Sequence, residues 1–253
     1  VIGLGIASLL FGSSPLVFVG VAIYFMAPCT DWYLGFTRIA RGDTTLGAVL
    51  LPINLISQLL LYPVYLWLFT STQTGLAFAD VGHSLIQWFV GPLVVAVSMK
   101  LALRKLLPAR TFAALLAAVG HAIPVAIAAL ILQIFAGNVG VILSDVSTFA
   151  VVLVAVGIFF VVTYSLAEAI SRMLHLRAPR HALLSLTTAA RNAPLMLAMT
   201  SVAVPGQPVV YAAIIVGMLV EFPHLTVVTR LLLRKQDISS RREETEERPG
   251  ILG

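Results

Sequence analysis

The sequence predicts an all-α membrane protein in which two of the helices are interrupted, and three observations carry that expectation. First, 59% of its 253 residues are hydrophobic and only 11% charged, with a mean hydropathy of +1.00, whereas about a quarter of the residues of a soluble domain carry charge. Second, apolar runs longer than about 18 residues recur along nearly the whole chain, each able to cross a hydrocarbon core of about 30 Å at 1.5 Å rise per residue. At that length only helices satisfy the backbone in lipid. Third, two of the runs are broken in mid-course, by "APCTD" from Ala27 to Asp31 and by "TTAARNAP" from Thr187 to Pro194. Charge at such depth is costly unless it is paired, hydrated or used.

The elements follow in order. Residues 1–12 read as the end of an earlier helix. "VIGLGIASLL" has neither a charged n-region nor a small-residue cleavage site, so it resembles an internal start or truncation rather than a leader. Segment 16–40 is the first full crossing and contains the first break. Segment 44–70 carries Asn54, Ser57 and Gln58 on neighbouring turns, placed to line a cavity or to bond between helices. Segments 83–106, 111–135 and 148–175 are further crossings, 182–205 contains the second break, and 208–234 carries Glu221 and Pro223 in "MLVEFPHL". The end, "RREETEERPG", is expected to be solvated and disordered. The predicted division is a transmembrane unit over 1–236, made of a partial first repeat 1–70 and a second repeat 80–236, followed by a charged tail 237–253.

Charge sets direction. Arg38 and Arg41 follow the first crossing, Lys100, Arg104, Lys105 and Arg110 the third, Arg172, Arg177 and Arg180 the fifth, and Arg230 to Arg248 the seventh. The intervening connections 71–79, 136–147 and 205–208 contain no Lys or Arg. All of the 16 basic residues except Arg191 therefore map to one side, which the positive-inside rule makes cytoplasmic, together with the carboxyl terminus. The two broken segments then run in opposite directions. That is the pattern of an inverted-topology repeat, in which substrate binds near the midplane between unwound segments. The plainer alternative is that Pro and Gly merely kink ordinary transmembrane helices.

The stretch "APCTDWYLGFTRIARGDTTLGAVLLPINLISQLLLYPVYLWLF" resembles the fourth and fifth helices of arsenite exporters in the bile acid/sodium symporter superfamily. "RNAPLMLAMTSVAVPG" and "GMLVEFPHL" are similar to that family's ninth and tenth helices. The resemblance implies a secondary-transporter fold of ten helices in two five-helix inverted repeats, of which this chain lacks the first two and most of the third. It also implies residence in the cell membrane as a multi-pass carrier. Sodium-coupled members hold the ion with a Ser-Asn pair and a Ser/Thr pair. Here those positions read Gly35, Phe36, Asn54 and Leu55, and a cation needs several convergent oxygens, so sodium coupling is disfavoured. Where the exporters usually carry a glutamate after the second break, this chain has Pro194.

Candidate residues follow from the breaks. Cys29, the sole cysteine, is a natural thiolate ligand for trivalent arsenic or antimony or else a small buried filler; as a lone cysteine it forms no intrachain disulfide. Thr30, Asn54 and Asn192 complete the expected substrate contacts. Asp31 is either a proton carrier, with a pKa raised by desolvation, or the partner of Arg191, because the two breaks should cross. Arg191 is always charged and must pair with Asp31 or Glu221, face water, or anchor an anion. Glu221 is read as a proton-coupling group or as a static bridge to Arg191. Glu168 lies four residues before Arg172, at pairing distance along a helix. His83, His121, Asp145 and Tyr211 fall near segment ends and are expected to be interfacial. No His/Cys/Asp set has metal-ligand spacing and no Gly-rich phosphate loop occurs, so no cofactor, enzymatic activity or nucleic-acid partner is expected. The sequence does not fix an oligomeric state. Three functions remain open: proton-coupled export of arsenite or antimonite, carriage of an organic anion, and a non-transporting membrane partner or truncated remnant.

Overall fold

Proline placement sets many of the helix starts. Pro15, Pro92, Pro179 and Pro194 each stand in the first turn of a helix, where the missing N–H is one that no intrahelical carbonyl would have accepted. The computed structural model describes residues 2–30, 32–74 and 90–246, which form ten helices and no strand. They are α1 (Ile2–Phe11), α2 (Pro15–Met26), α3 (Tyr33–Ile39), α4 (Thr44–Thr74), α5 (Gly91–Leu106), α6 (Ala109–Ser144), α7 (Val146–Met173), α8 (Ala178–Ala189), α9 (Ala193–Ala203) and α10 (Pro208–Glu246).

The core lies where α2 and α10 meet. Every residue from Val19 to Phe25 is buried, as is every residue from Ala212 to Met218. Helices apolar on all sides bury all sides, and around this pair pack α1, α7, α9 and α6. Two glycines permit the close approach. A Cβ on Gly20 would lie 2.6 Å from the Val210 carbonyl oxygen, and one on Gly217 would lie 2.9 Å from the Tyr24 ring. By contrast α5 packs against α6 and exposes most of its residues, leaving an apolar face of the kind lipid covers.

Among the described residues, three helices are long and apolar enough to span a bilayer unbroken: Thr44–Tyr65, Val146–Met173 and Pro208–Ile238. The two interrupted crossings appear as half-helices, α2 with α3 and α8 with α9, each half too short to span alone. Two expectations need correcting. The connection read at 136–147 is helical except for Asp145, because that stretch has no proline and Asp145 itself caps α7, accepting from Thr148 N–H at 3.1 Å and Ser147 Oγ at 2.8 Å. Hydrogen bonding from Thr148 and then Ser147 holds the Asp145 carboxyl below the usual range. The stretch read as a disordered tail continues α10 to Glu246; its Arg and Glu residues are strong helix formers. His83 lies outside the described residues.

Candidate functional site: the crossing of the broken helices

The residue before a proline is pushed out of the helical region. Ala27, preceding Pro28, is extended at φ −87°, ψ 103° and ends α2; Ala190, at φ −68°, ψ 142°, ends α8. The two extended segments meet. Pro28 and Arg191 form an isolated antiparallel bridge, and Asn192 N–H donates to the Ala27 carbonyl at 3.3 Å. Each break thus satisfies part of the other's backbone, as the low-dielectric interior requires.

Side chains complete the crossing. Glu221 of α10 is fully buried. Its carboxylate accepts from the Arg191 backbone N–H at 2.7 Å, from the Trp32 indole N–H at 2.9 Å and from the Tyr24 hydroxyl at 3.4 Å. One carboxylate therefore fastens both breaks to α10. Asn192 Nδ2 donates to Thr30 Oγ1 at 2.7 Å and to Gln58 Oε1 at 3.3 Å, and Asn54 Nδ2 donates to the Cys29 carbonyl at 3.1 Å. Tyr62 and Thr200 share a hydroxyl hydrogen bond of 2.9 Å.

Arg191 differs from expectation in the atoms it uses. Its guanidinium donates to the carbonyls of Thr188 at 2.8 Å and Ala190 at 3.2 Å and lies over the Phe159 ring, 4.7 Å from its centroid; Nε has no partner among the described atoms. These carbonyls belong to the C-terminal end of α8, where helical acceptors go unpaired and a cation is favoured. Cys29 is fully buried and packs in a cluster with Tyr33, Leu186 and Ala189. Asp31 lies outside the described residues.

A cavity of about 550 Å³ opens beside the crossing. Its polar lining comprises Arg191, Asn54, Thr163, Thr187 and Thr188, and its apolar walls include Phe25, Leu50, Phe159, Leu166 and Ile170. A small second cavity of about 30 Å³ lies by Pro28, Gln58 and Tyr62. Thus the structure brings Thr30, Asn54, Asn192, Arg191 and Glu221 together. Sequence reasoning passed over Tyr24, Trp32 and Thr163. Trp32 had a signal, since an indole N–H beside a membrane break needs an acceptor. Among the described residues no group of His, Cys, Asp and Glu has metal-binding geometry.

Two broken helices crossing in an all-α membrane protein, with polar groups gathered at the crossing and a cavity beside it, define the class of membrane carriers with unwound binding segments. The family model described as Sodium Bile acid symporter family matches residues 1–145, and the chain belongs to that family, whose members are membrane transporters rather than enzymes. None of the curated proteins compared with the chain matches it.

Proposed function

We propose that the chain is a secondary carrier of an amphipathic organic anion, bound in the 550 Å³ cavity with its acidic group on Arg191. The observation that carries this reading is the Arg191 guanidinium itself. It lines the cavity, hydrogen-bonds only backbone carbonyls, and forms no ion pair among the described residues. A guanidinium left with donors to spare is the group that recognises a carboxylate or sulfonate through two parallel bonds, and apolar walls with a few placed polar groups are the usual form of a small-molecule site. Coupling runs through the proton rather than sodium: Glu221 holds both breaks as a carboxylate, and taking up a proton removes the charge its N–H donors stabilise. The carrier lies in the cell membrane as a multi-pass protein with its carboxyl terminus cytoplasmic.

The test is uptake by proteoliposomes of a panel of radiolabelled carboxylates and sulfonates, with and without a pH gradient. Arg191→Gln should abolish transport, Arg191→Lys should retain part of it, and Cys29→Ser should leave it unchanged. A second reading, export of arsenite or antimonite, needs Cys29 to contact the metalloid. It draws support from the position of Cys29 within the first break, although its side chain is fully buried in this conformation. If Cys29→Ser abolishes arsenite resistance in cells while no organic anion is carried, the metalloid reading replaces the first.

A further inference from the structure

Far from the crossing, the basic end of the molecule holds a second constellation. α7 ends in a turn in which Leu176 N–H donates to the Ser171 carbonyl at 2.9 Å and His175 takes φ 49°. That is the left-handed region, costly for any side chain and usually left to glycine. The imidazole so placed lines two adjoining cavities, one of about 450 Å³ between α7, α8 and α10 and one of about 570 Å³ against the α7–α8 turn.

Charge around the pair is unbalanced. Arg172 and Lys235 line the first cavity together with His181 and Glu168, and Arg177 and Arg180 line the second with Asp43. Both carboxylates are already engaged. Glu168 contacts Lys235 at 2.6 Å, Arg172 at 3.0 Å and His181 at 3.2 Å, while Asp43 Oδ1 accepts from Leu46 N–H at 3.0 Å. Arg177 and Arg180 form no ion pair among the described residues. Four permanent cations thus face two committed carboxylates around space large enough for a ligand, with Leu174, Leu176 and Leu232 supplying apolar lining. The site lies at the end of Val146–Met173, a helix long and apolar enough to span a bilayer, so a membrane crossed by that helix would have its headgroups near this end.

We propose that this cavity pair binds a phosphate-bearing anion, with Arg177, Arg180 and Arg172 as its ligands and His175 presented to it by the left-handed turn. The shared chemistry is a phosphate of net negative charge, and its two sources are an anionic phospholipid headgroup and free phosphate. Basic pockets between transmembrane helices near the membrane surface are suited to anionic headgroups, and the leucines offer a start to an acyl chain. Occupancy would tie α7, α8 and α10 together at the end opposite Glu221's contacts, so the ligand acts on the conformational equilibrium and not on the transported substrate.

The experiment uses the full chain in detergent, with thermal unfolding and native mass spectrometry as readouts and no transport assay. Three probes are added separately: dioctanoyl-phosphatidylglycerol, dioctanoyl-phosphatidylcholine and inorganic phosphate. Phosphatidylglycerol is expected to bind and raise the Tm, phosphatidylcholine to bind weakly. The double variant Arg177→Gln/Arg180→Gln, both exposed and unpaired, is expected to keep its ligand-free Tm and lose about tenfold or more in affinity. Arg104→Gln/Lys105→Gln at the end of α5, outside both cavities, is expected to bind as the parent does. Binding of inorganic phosphate with the same dependence on Arg177 and Arg180 supports the site and assigns it to free phosphate; binding of phosphatidylglycerol alone assigns it to lipid. Equal loss in both double variants, or no preference for phosphatidylglycerol or phosphate over phosphatidylcholine, overturns the proposal.

Discussion

Glu221 shows how far charge complementarity reaches and where it stops. That charge at membrane depth needs compensation follows from the sequence, which leaves Asp31 and Glu221 both open as partners of Arg191. Which atoms meet does not follow. The break in α8 frees carbonyls that take up the guanidinium, and the same break frees the Arg191 backbone N–H, which Glu221 accepts. Glu221→Leu would strand that N–H, the Trp32 indole and the Tyr24 hydroxyl. Three donors left unpaired, two of them part-buried, cost about 3–9 kcal/mol at most, so the variant should unfold at a markedly lower temperature in detergent, whereas Glu221→Gln, which keeps one acceptor oxygen, should fall between the parent and Glu221→Leu. Equal stability of Glu221→Leu and the parent would show that the carboxylate fastens nothing.

At the scale of elements, the break points were legible because Pro28 and the Arg191–Pro194 run announce them chemically. The extensions of α6 to Ser144 and α10 to Glu246 were not. Hydropathy marks where a helix leaves the apolar phase; α10 continues past that point because its Arg and Glu residues are good formers, whereas α6 runs on through an apolar, proline-free stretch to Asp145, the cap of α7. The α2–α10 contact was also hidden: glycines inside apolar runs read alike, yet only some stand at a crossing. Gly20→Ala should destabilise the protein by about 1–3 kcal/mol through overpacking against the backbone of α10, because the new methyl would lie 2.6 Å from the Val210 carbonyl oxygen. Gly35→Ala in α3 meets nothing within 4 Å and should be neutral or stabilising by up to about 1 kcal/mol from helix propensity. Paired thermal unfolding of the two variants measures the contrast.

Across the whole molecule, the basic residues gathered at one end pack into real structure: Glu168 of α7 joins His181 of α8 and Lys235 of α10, and Arg41 pairs with Asp237 at 3.0 Å. The sequence showed Glu168 only its helical neighbour Arg172; the partners from α8 and α10 are products of topology. His181 stands in the first turn of α8, before the spanning part of that crossing. Burial pushes its imidazole below the ordinary histidine range, opposed by Glu168 and reinforced by Lys235 and Arg172. A depressed value means that the unfolded chain takes up this proton first, near pH 6.5, so the contribution of neutral His181 is intact above about pH 6.5 and is lost as the pH falls below it. Tm measured from pH 8 to 5.5 should drop on the acid side, and His181→Gln should flatten that part of the profile.

Helix α10 is held at two stations. Glu221 grips the crossing, and Lys235, fourteen residues on and so about 21 Å away at 1.5 Å per residue, grips Glu168 at 2.6 Å. Between them stands Pro223, which cannot donate to the Leu219 carbonyl and so concentrates bending compliance at one elbow. A hinge movement of five degrees there sweeps the Lys235 backbone, about 18 Å away, through about 1.6 Å, as far as a short ion pair can stretch before it opens. Bending at Pro223 would make the helix a crank with unequal arms, in which a small displacement at the crossing becomes a larger one at the Lys235–Glu168 contact. Pro223→Ala, which restores the missing hydrogen bond, should stiffen the crank, raising the Tm while slowing turnover, and stopped-flow uptake beside thermal unfolding would register both.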